Sequence, residues 1–387
     1  MNIIYLASDT FVARELTGAL ERGRGFTARV FRVPRHPLPS EAERVVEAMR
    51  PFLPAVVLSL NDAGYDLAGR LAELLRKAGA FIVNWYHDYP FYEEIHMGRR
   101  ICPSPERLDF VSERSFLPEM RERGFKACFL PLATDPRFFN MNGCVKYERD
   151  IAFVGNSSLQ LMDSVVTEEV ECELEKVTEL IAHLRTLYTA DPTVGIRDFL
   201  LRNPSLWEET VDLPKERFLF AVEWLIGFFY RRDFIAGIAS CYAGRFTCFG
   251  DPYWKYYLGN APVCGDARYY DNLCRYYRST RVNLNVNRIQ IRSSVNQRIF
   301  DCKASGAFLL TERREDNRRF FKTEGPDREL VEFDSESQCR ELIDYFLEHE
   351  QEREAIAGAG RAKVLNSHTY DHRVAELVSV CRKDWRI

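Results

Sequence analysis

Short apolar runs alternate with amphipathic stretches along most of the chain, and this alternation predicts its elements. Residues 2–7 form an apolar run that reads as a strand, after which Asp9-Thr10 caps a helix through Val12, Leu16, Ala19 and Leu20 that ends near Gly23. The unit recurs. Residues 26–33 read as a strand, 41–49 as a helix, 55–60 as a buried strand, 67–78 as a helix and 81–85 as a strand, with short runs following at 108–111 and 128–132. Strands that alternate with helices require right-handed crossovers and a parallel sheet covered on both faces. The expectation is an α/β chain with a Rossmann-like layer, whose ligands sit beyond the carboxyl ends of the strands.

A second series starts at 150–154, a strand entering a turn at Gly155 and Asn156 that offers backbone N–H groups to a phosphate. Residues from about 160 to 240 carry only helical patterns, at 169–187, 197–201 and 215–238, and predict a helical insertion. Strand signals return at 245–249, ending in Gly250-Asp251, and again at 262–265. Then 282–286 alternates as a strand, Ser293 or Ser294 N-caps a helix running to Ala304, Gly306 stops that helix and 307–310 is the next buried strand. Further on, 330–333 reads as a strand, 335–349 as a helix with a capping signature at Ser335 and Gln338, 350–365 as a helix, and 368–373 opens a final one.

A length of 387 residues exceeds what one hydrophobic core usually fills, so two domains are expected. A balance of 46% hydrophobic and 28% charged residues excludes a disordered, collagen-like or membrane-embedded chain. The net charge, 53 − 57 = −4, supplies no global field for nucleic acid, and no nucleic-acid partner is expected. Eleven cysteines, odd in number and with no pair at two-residue spacing, read as reduced thiols in a cytoplasmic protein and not as a zinc ribbon or disulfide framework. The amino terminus has no signal-peptide pattern. The longest apolar stretch, 218–230, is interrupted by Glu223 and is too short for a transmembrane segment, which leaves peripheral membrane contact open.

Candidate chemistry lies at two strand ends. After 81–85 come His87 and Asp88, a pair able to orient a hydroxyl or remove its proton, or else to cap the next helix. Neighbouring strand positions point to opposite faces, so at most one of the two reaches the cleft. The other end gathers Asn285, Asn287, Arg292, Asn296, Gln297, Arg298 and Asp301, with Ser294, Gln297, Arg298 and Asp301 sharing one helix face. Arg292 and Arg298 suit phosphate oxygens, Asp301 suits a ribose diol, and the amides suit sugar hydroxyls. Gly155, Asn156, Gly250 and Asp251 complete this donor set, and the basic residues between Arg275 and Arg298 stand where a diphosphate would need them. His368 and His372, at i and i+4, read as capping residues because no third metal ligand is evident. Ala7-Ser8-Asp9 follows the first strand in place of Gly-x-Gly-x-x-Gly, which argues against a nicotinamide enzyme.

Longer motifs carry a resemblance. Asn-Gln-Arg-Ile-Phe-Asp at 296–301, Ser-Gly-Ala-Phe-Leu-Leu-Thr at 305–311 and His-Thr-Tyr-Asp-His-Arg at 368–373 resemble the C-terminal domain of bacterial glycosyltransferases of the CgeB-like group. Asn84-Trp85 with Asp88 and Pro90, the turn at 130–136 and Asp150-Ile-Ala-Phe-Val-Gly resemble the same group's first half. The resemblance implies a GT-B architecture, two Rossmann-like domains facing across a cleft, with a helical insertion in the second. It places an acceptor domain at 1–145, with a final helix at about 372–387 packing back on it, and a nucleotide-sugar domain at 146–371. It implies a hexosyltransferase-like glycosyltransferase that moves a sugar from a nucleotide-sugar donor to a hydroxyl of a glycan, polysaccharide or protein, with no bound metal or other cofactor. An inactive nucleotide-sugar-binding or scaffold protein of the same fold is the alternative. In the wider retaining families two glutamates flank this helix; the matching positions here are Ser293 and Asp301, so Asp301 can keep the ribose role while Ser293 departs from the pattern. If configuration inverts, Asp88 or His87 is the expected base; if it is retained, the donor phosphate assists.

Overall fold

The computed structural model describes residues 1–99, 101–143, 146–265 and 268–386. The chain forms two compact units. The first comprises Met1–Thr134 together with the described residues from His368 onward, and the second is Asp135–Ser367.

In the first unit the alternation read from sequence becomes β1 (Asn2–Ala7), α1 (Ala13–Arg22), β2 (Thr27–Arg32), α2 (Ala42–Met49), β3 (Val56–Leu60), α3 (Arg70–Lys77), β4 (Phe81–Tyr86), α4 (Tyr92–Met97), β5 (Arg107–Val111), α5 (Leu117–Glu122) and β6 (Ala127–Phe129). The six strands are parallel in the order β2-β1-β3-β4-β5-β6. Buried strands such as β3 have every side chain out of water, because helices cover both faces. Ile4, Leu6, Val57 and Ile82 pack with Leu71 and Leu75 of α3 in one core, and Tyr86 and Val111 pack with Phe91, Phe116 and Met120 in another.

The second unit runs β7 (Arg149–Val154), α6 (Leu159–Val165), α7 (Glu168–Glu175), α8 (Thr178–Ala190), α9 (Ile196–Arg202), α10 (Lys215–Cys241), β8 (Phe246–Phe249), α11 (Leu273–Arg278), β9 (Thr280–Asn285), α12 (Gln297–Ala304), β10 (Leu309–Glu312), α13 (Glu315–Phe320), β11 (Val331–Phe333), α14 (Glu336–Glu348) and α15 (Glu350–Ser367). Its parallel sheet has the order β11-β10-β9-β7-β8. The helical insertion occupies α6–α10. Helix α10 is apolar around most of its circumference, and an all-round apolar helix must be buried. Phe218 to Val222, Ile226, Ile235 and Ile238 are accordingly out of solvent. Among the described residues no helix is long and apolar enough to cross a membrane.

The last helix, α16 (Tyr370–Trp385), belongs to the first unit. Trp385 stacks on Phe81 at 4.5 Å, Asp371 pairs with Arg22 at 2.6 Å, and the Arg373 guanidinium donates to the Pro131 carbonyl at 2.9 Å.

Several expectations need correction. Helix α1 starts at Ala13 after Val12 in the left-handed region, φ 60°, with no side-chain cap from Asp9 or Thr10. The run at 262–265 contributes one bridge, Cys248 to Val263, and no strand. Helix α12 starts at Gln297 and is capped by the Asn296 side chain, which accepts from the Ile299 N–H at 3.3 Å, so neither Ser293 nor Ser294 is its cap. The division into units falls at Thr134/Asp135, not 145/146, and at Ser367/His368, not 371/372. Residues 135–143 bond into the second unit: Phe139 meets Tyr269 at 5.2 Å and Arg278 donates to the Gly143 carbonyl at 2.6 Å. Thr134, in contrast, forms a parallel bridge with Thr369. The expected boundary residue Val145 and Cys144 lie outside the described residues. The other ten cysteines are free thiols.

Candidate functional site

The carboxyl ends of β7 and β9 lie side by side in the second sheet, because the two strands pair from Arg149/Thr280 to Phe153/Leu284. The turn after β7 is built around glycine. Gly155 holds φ 154°, a region essentially confined to glycine, and its N–H donates to the Phe249 carbonyl at 2.8 Å. A side chain at Gly250 would collide with the Gly155 carbonyl, and that carbonyl accepts the Trp254 indole N–H at 2.7 Å. Asp251 holds the turn from behind, accepting the Ser157 N–H at 2.7 Å and the Tyr253 N–H at 3.1 Å. Gly250 and Asp251 therefore shape this turn.

Two arginines close on it. A Cβ built on Gly155 would lie 2.9 Å from a terminal nitrogen of Arg298 and closer still to one of Arg231. Arg231, on α10, is 4% exposed; one terminal nitrogen donates to the Asn156 carbonyl at 2.8 Å, while its buried Nε has no partner among the described residues. Arg298, on the first turn of α12, donates to the Asn285 side-chain oxygen and lies over the Phe153 ring, 5.4 Å from its centroid. Among the described residues neither forms an ion pair with a carboxylate. Burial lowers the pKa of both, and mutual repulsion with each other and with Arg288 adds to the effect on Arg231. A like-charged pair of guanidiniums, one buried and one half-buried, is costly without a counter-ion unless an anion is bound between them.

An amide network continues the site. Asn285 donates to the Asn287 side-chain oxygen at 3.2 Å and to the Thr311 hydroxyl at 2.8 Å, and the Asn296 amide donates to Asn285 at 2.8 Å and Asn287 at 2.6 Å. Because the Asn287 oxygen receives two donors, its orientation is fixed, and its buried Nδ2 has no partner among the described residues. Glu312 anchors the network, accepting the Asn287 N–H at 2.6 Å, the Tyr230 hydroxyl at 2.6 Å and an Arg314 N–H at 3.2 Å.

Gly155, Asn156, Asn285, Asn287, Asn296 and Arg298 are thus brought together. Other expected residues have different partners. Arg292 turns away to pair with Asp198 of α9 at 2.6 Å. Asp301 is fully buried, its two oxygens accepting the Tyr269 hydroxyl at 2.6 Å and the Gln297 amide at 3.1 Å, which places both residues beneath Tyr269. The face expected to join Ser294 to them is broken, since Ser294 lies before the helix and donates to Asp316 at 3.0 Å. The run of basic residues from Arg275 is also largely committed elsewhere: Arg275 pairs with Glu148 at 2.9 Å, Arg278 donates to loop carbonyls and Arg281 pairs with Asp150 at 3.4 Å. Arg231, Tyr230 and Glu312 did not emerge from the sequence reading. An arginine inside an otherwise apolar helix was the available signal for the first, since a charge there must have a partner or a ligand.

In the first unit His87 and Asp88 stand at the end of β4 and face opposite ways. His87 is buried, its pKa pushed down to about 4 chiefly by burial, and its Nε2 has no partner among the described residues. Asp88 is exposed and accepts the Asn61 amide at 2.9 Å, while Asn61 accepts the His87 N–H at 2.7 Å. His372 completes a capping box with Thr369 at 2.6 Å, and His368 meets Arg373 at 2.9 Å. No group of three metal-ligating side chains occurs among the described residues.

A family model described as glycosyl transferase-like matches residues 231–379. No curated protein matches the chain. Sucrose-phosphate synthase from Thermosynechococcus elongatus is 11% identical, aligned over 100% of this chain and 99% of its own, with a TM-score of 0.57. A glycosyltransferase from Rickettsia africae is 8% identical over 99% and 98% of the two chains, with a TM-score of 0.54. Anabaena HepE, in complex with UDP-glucose, is 9% identical over 98% and 100%, with a TM-score of 0.53. The two Rossmann-like parallel sheets are those of the GT-B glycosyltransferase fold, and the stretch that begins at Arg231 is similar to glycosyl transferase-like domains.

Proposed function

We propose that the chain is a glycosyltransferase that takes a sugar from a nucleoside-diphosphate donor held by the second unit and passes it to a hydroxyl acceptor on a glycan or protein, without a bound metal. One observation carries the reading: two guanidiniums, the buried Arg231 and the half-buried Arg298, close on a glycine turn at the carboxyl edge of the sheet with no carboxylate among the described residues paired to either. A diphosphate supplies the missing negative charge. As the bond from the anomeric carbon to the phosphate oxygen breaks and that to the acceptor oxygen forms, the extra charge on the leaving diphosphate is held by these fixed cations. If configuration inverts, Asp88 is the candidate base in the first unit, since it is exposed and oriented by Asn61 while His87 is buried. Asn287 offers its Nδ2 to a donor oxygen. The UDP-glucose complex of HepE supports the donor class.

Titration calorimetry with UDP, GDP and ADP tests the donor half. The variants Arg298→Met and Arg231→Met are expected to weaken the best nucleotide by about 10- to 100-fold, the cost of one charge-assisted hydrogen bond. Their melting temperatures without nucleotide should hold or rise, since an uncompensated buried charge is removed. Unchanged affinity, together with a large loss of stability, would show the arginines to be purely structural. Transfer or hydrolysis of a sugar nucleotide that persists in EDTA tests the chemistry; binding without either would indicate a binding protein.

A further inference from the structure

Helix α10 presents Glu223, Gly227 and Arg231 at intervals of four residues, so the three share one face. Arg231 reaches the Gly155 turn. One turn back, a Cβ on Gly227 would lie 2.6 Å from the Cβ of Ile289, so the loop 286–296 lies directly on the helix there. A further turn back, Glu223 lies near Arg292 of the same loop and near the Arg197 backbone at the start of α9. Arg292 pairs with Asp198 at 2.6 Å, and its guanidinium occupies the space a side chain at Gly195 would need. The loop's other side is tied to the segment around α13, where Arg314 donates to the Ile291 carbonyl and the Asp316 N–H to the Ser293 carbonyl, both at 2.9 Å. The same loop carries Asn287 and Arg288 and ends at Asn296.

We propose that helices α9 and α10 form a positioning arm that sets the donor loop through Arg292, with Asp198, Gly227 and Glu223 as positioning residues. This rests on the donor reading above but concerns the part of the chain that precedes the stretch similar to glycosyl transferase-like domains. Asp198 fixes the guanidinium, and Gly227 sets how closely the loop approaches α10. Glu223 adjusts the hold. The groups facing it are Arg292 on the loop, Arg197 and Asp198 on α9, and Tyr188 on α8. Burial first, offset in part by the two arginines, raises its pKa to about 7. The closed arrangement therefore prefers the protonated carboxyl, and as pH rises from about 4.5 to 7 local opening that returns the carboxylate to water is increasingly favoured, an effect that levels off above.

Hydrogen exchange and calorimetry on the full chain test the arm separately from the donor reading. In Asp198→Asn, amides of 287–295 are expected to exchange faster while those of β7 and β9 stay unchanged, and UDP or the best-binding diphosphate should weaken by about 2- to 30-fold, the range of coupling between contiguous packed elements. Glu223→Gln should bind close to wild type at pH 4.5 and several-fold more tightly than wild type at pH 8, a comparison at fixed pH that removes the nucleotide's own titration. Unchanged exchange over 287–295 in Asp198→Asn, or a wild-type to Glu223→Gln affinity ratio that does not vary with pH, would overturn the arm. Faster loop exchange in Asp198→Asn, when wild type binds no nucleoside diphosphate, would support the arm and remove the donor reading alone.

Discussion

At the scale of single residues, Glu223 and Arg231 show how one helix can carry two groups whose charged forms the fold disfavours. For Glu223 the consequence for stability has a definite sign. A carboxyl whose pKa rises from 4.5 to about 7 on folding stays protonated in the native state while the unfolded chain ionises, so stability declines as pH rises from about 4.5 to 7 and levels off above. Since the side chain keeps some access to solvent, the expected loss is about 1 to 3 kcal/mol. Glu223→Gln should remove it: thermal unfolding at pH 5 and pH 8 ought to show the variant gaining on wild type at the higher pH, and parallel shifts would sink the assignment. The sequence exposed this residue only as an interruption of an apolar run, and Arg231 only as the end of one. What makes them functional candidates is the loop laid against them, about 60 residues away along the chain, which no local pattern contains. Arg298, Asn285, Asn287 and Asn296 were legible because they bracket a strand end and a helix start, where Rossmann-like sheets gather their ligands. Arg292 and Asp301 have partners within the chain that the sequence did not reveal, because spacing identifies a side chain's face without revealing what lies against it.

At the scale of elements, the alternation of apolar runs predicted the eleven described strands and the longer helices, and the Ser335 cap was placed correctly: its hydroxyl accepts the Gln338 N–H at 3.2 Å while the Gln338 side chain accepts the Asp334 N–H at 2.7 Å. The failures were short or irregular elements. Helices α11 and α13 and the π-turn at Arg268–Asn272 are stabilised by tertiary packing and have too few residues to show a period. The β7 and β8 ends show what sequence could not weigh. A single glycine after each strand is weak evidence, yet the two lie back to back with no room for a methyl group. Gly250→Ala is therefore expected to push the Gly155 carbonyl away from the Trp254 indole, costing about 1 to 3 kcal/mol by overpacking and lowering nucleotide affinity at the same time. Urea titration and calorimetry check the two effects, and a variant of normal affinity would show that the turn does not shape the site.

At the scale of the whole molecule, length alone implied two domains, and the structure adds that the second interrupts the first. The chain leaves the first unit after Thr134 and re-enters it at His368, and the two crossings are bonded neighbours: the Thr134 N–H donates to the His368 carbonyl at 3.1 Å and the Tyr370 N–H to the Thr134 carbonyl at 3.0 Å. Replacing 135–367 by a short glycine-serine linker should therefore leave a first unit that folds, with cooperative thermal unfolding and dispersed amide resonances; a molten product would show that the second unit is required. The helix that closes the first unit is synthesised only after the whole second unit. Phe81 waits for Trp385 and Pro131 for Arg373. At about 5 to 20 residues per second the ribosome spends roughly 10 to 50 seconds on the intervening segment. The second unit, contiguous in sequence, can finish folding in that interval, so the usual order of domain maturation during synthesis is reversed, and the amino-terminal unit stays incomplete, with the flank of α1 and the Phe81 ring uncovered, until α16 has emerged.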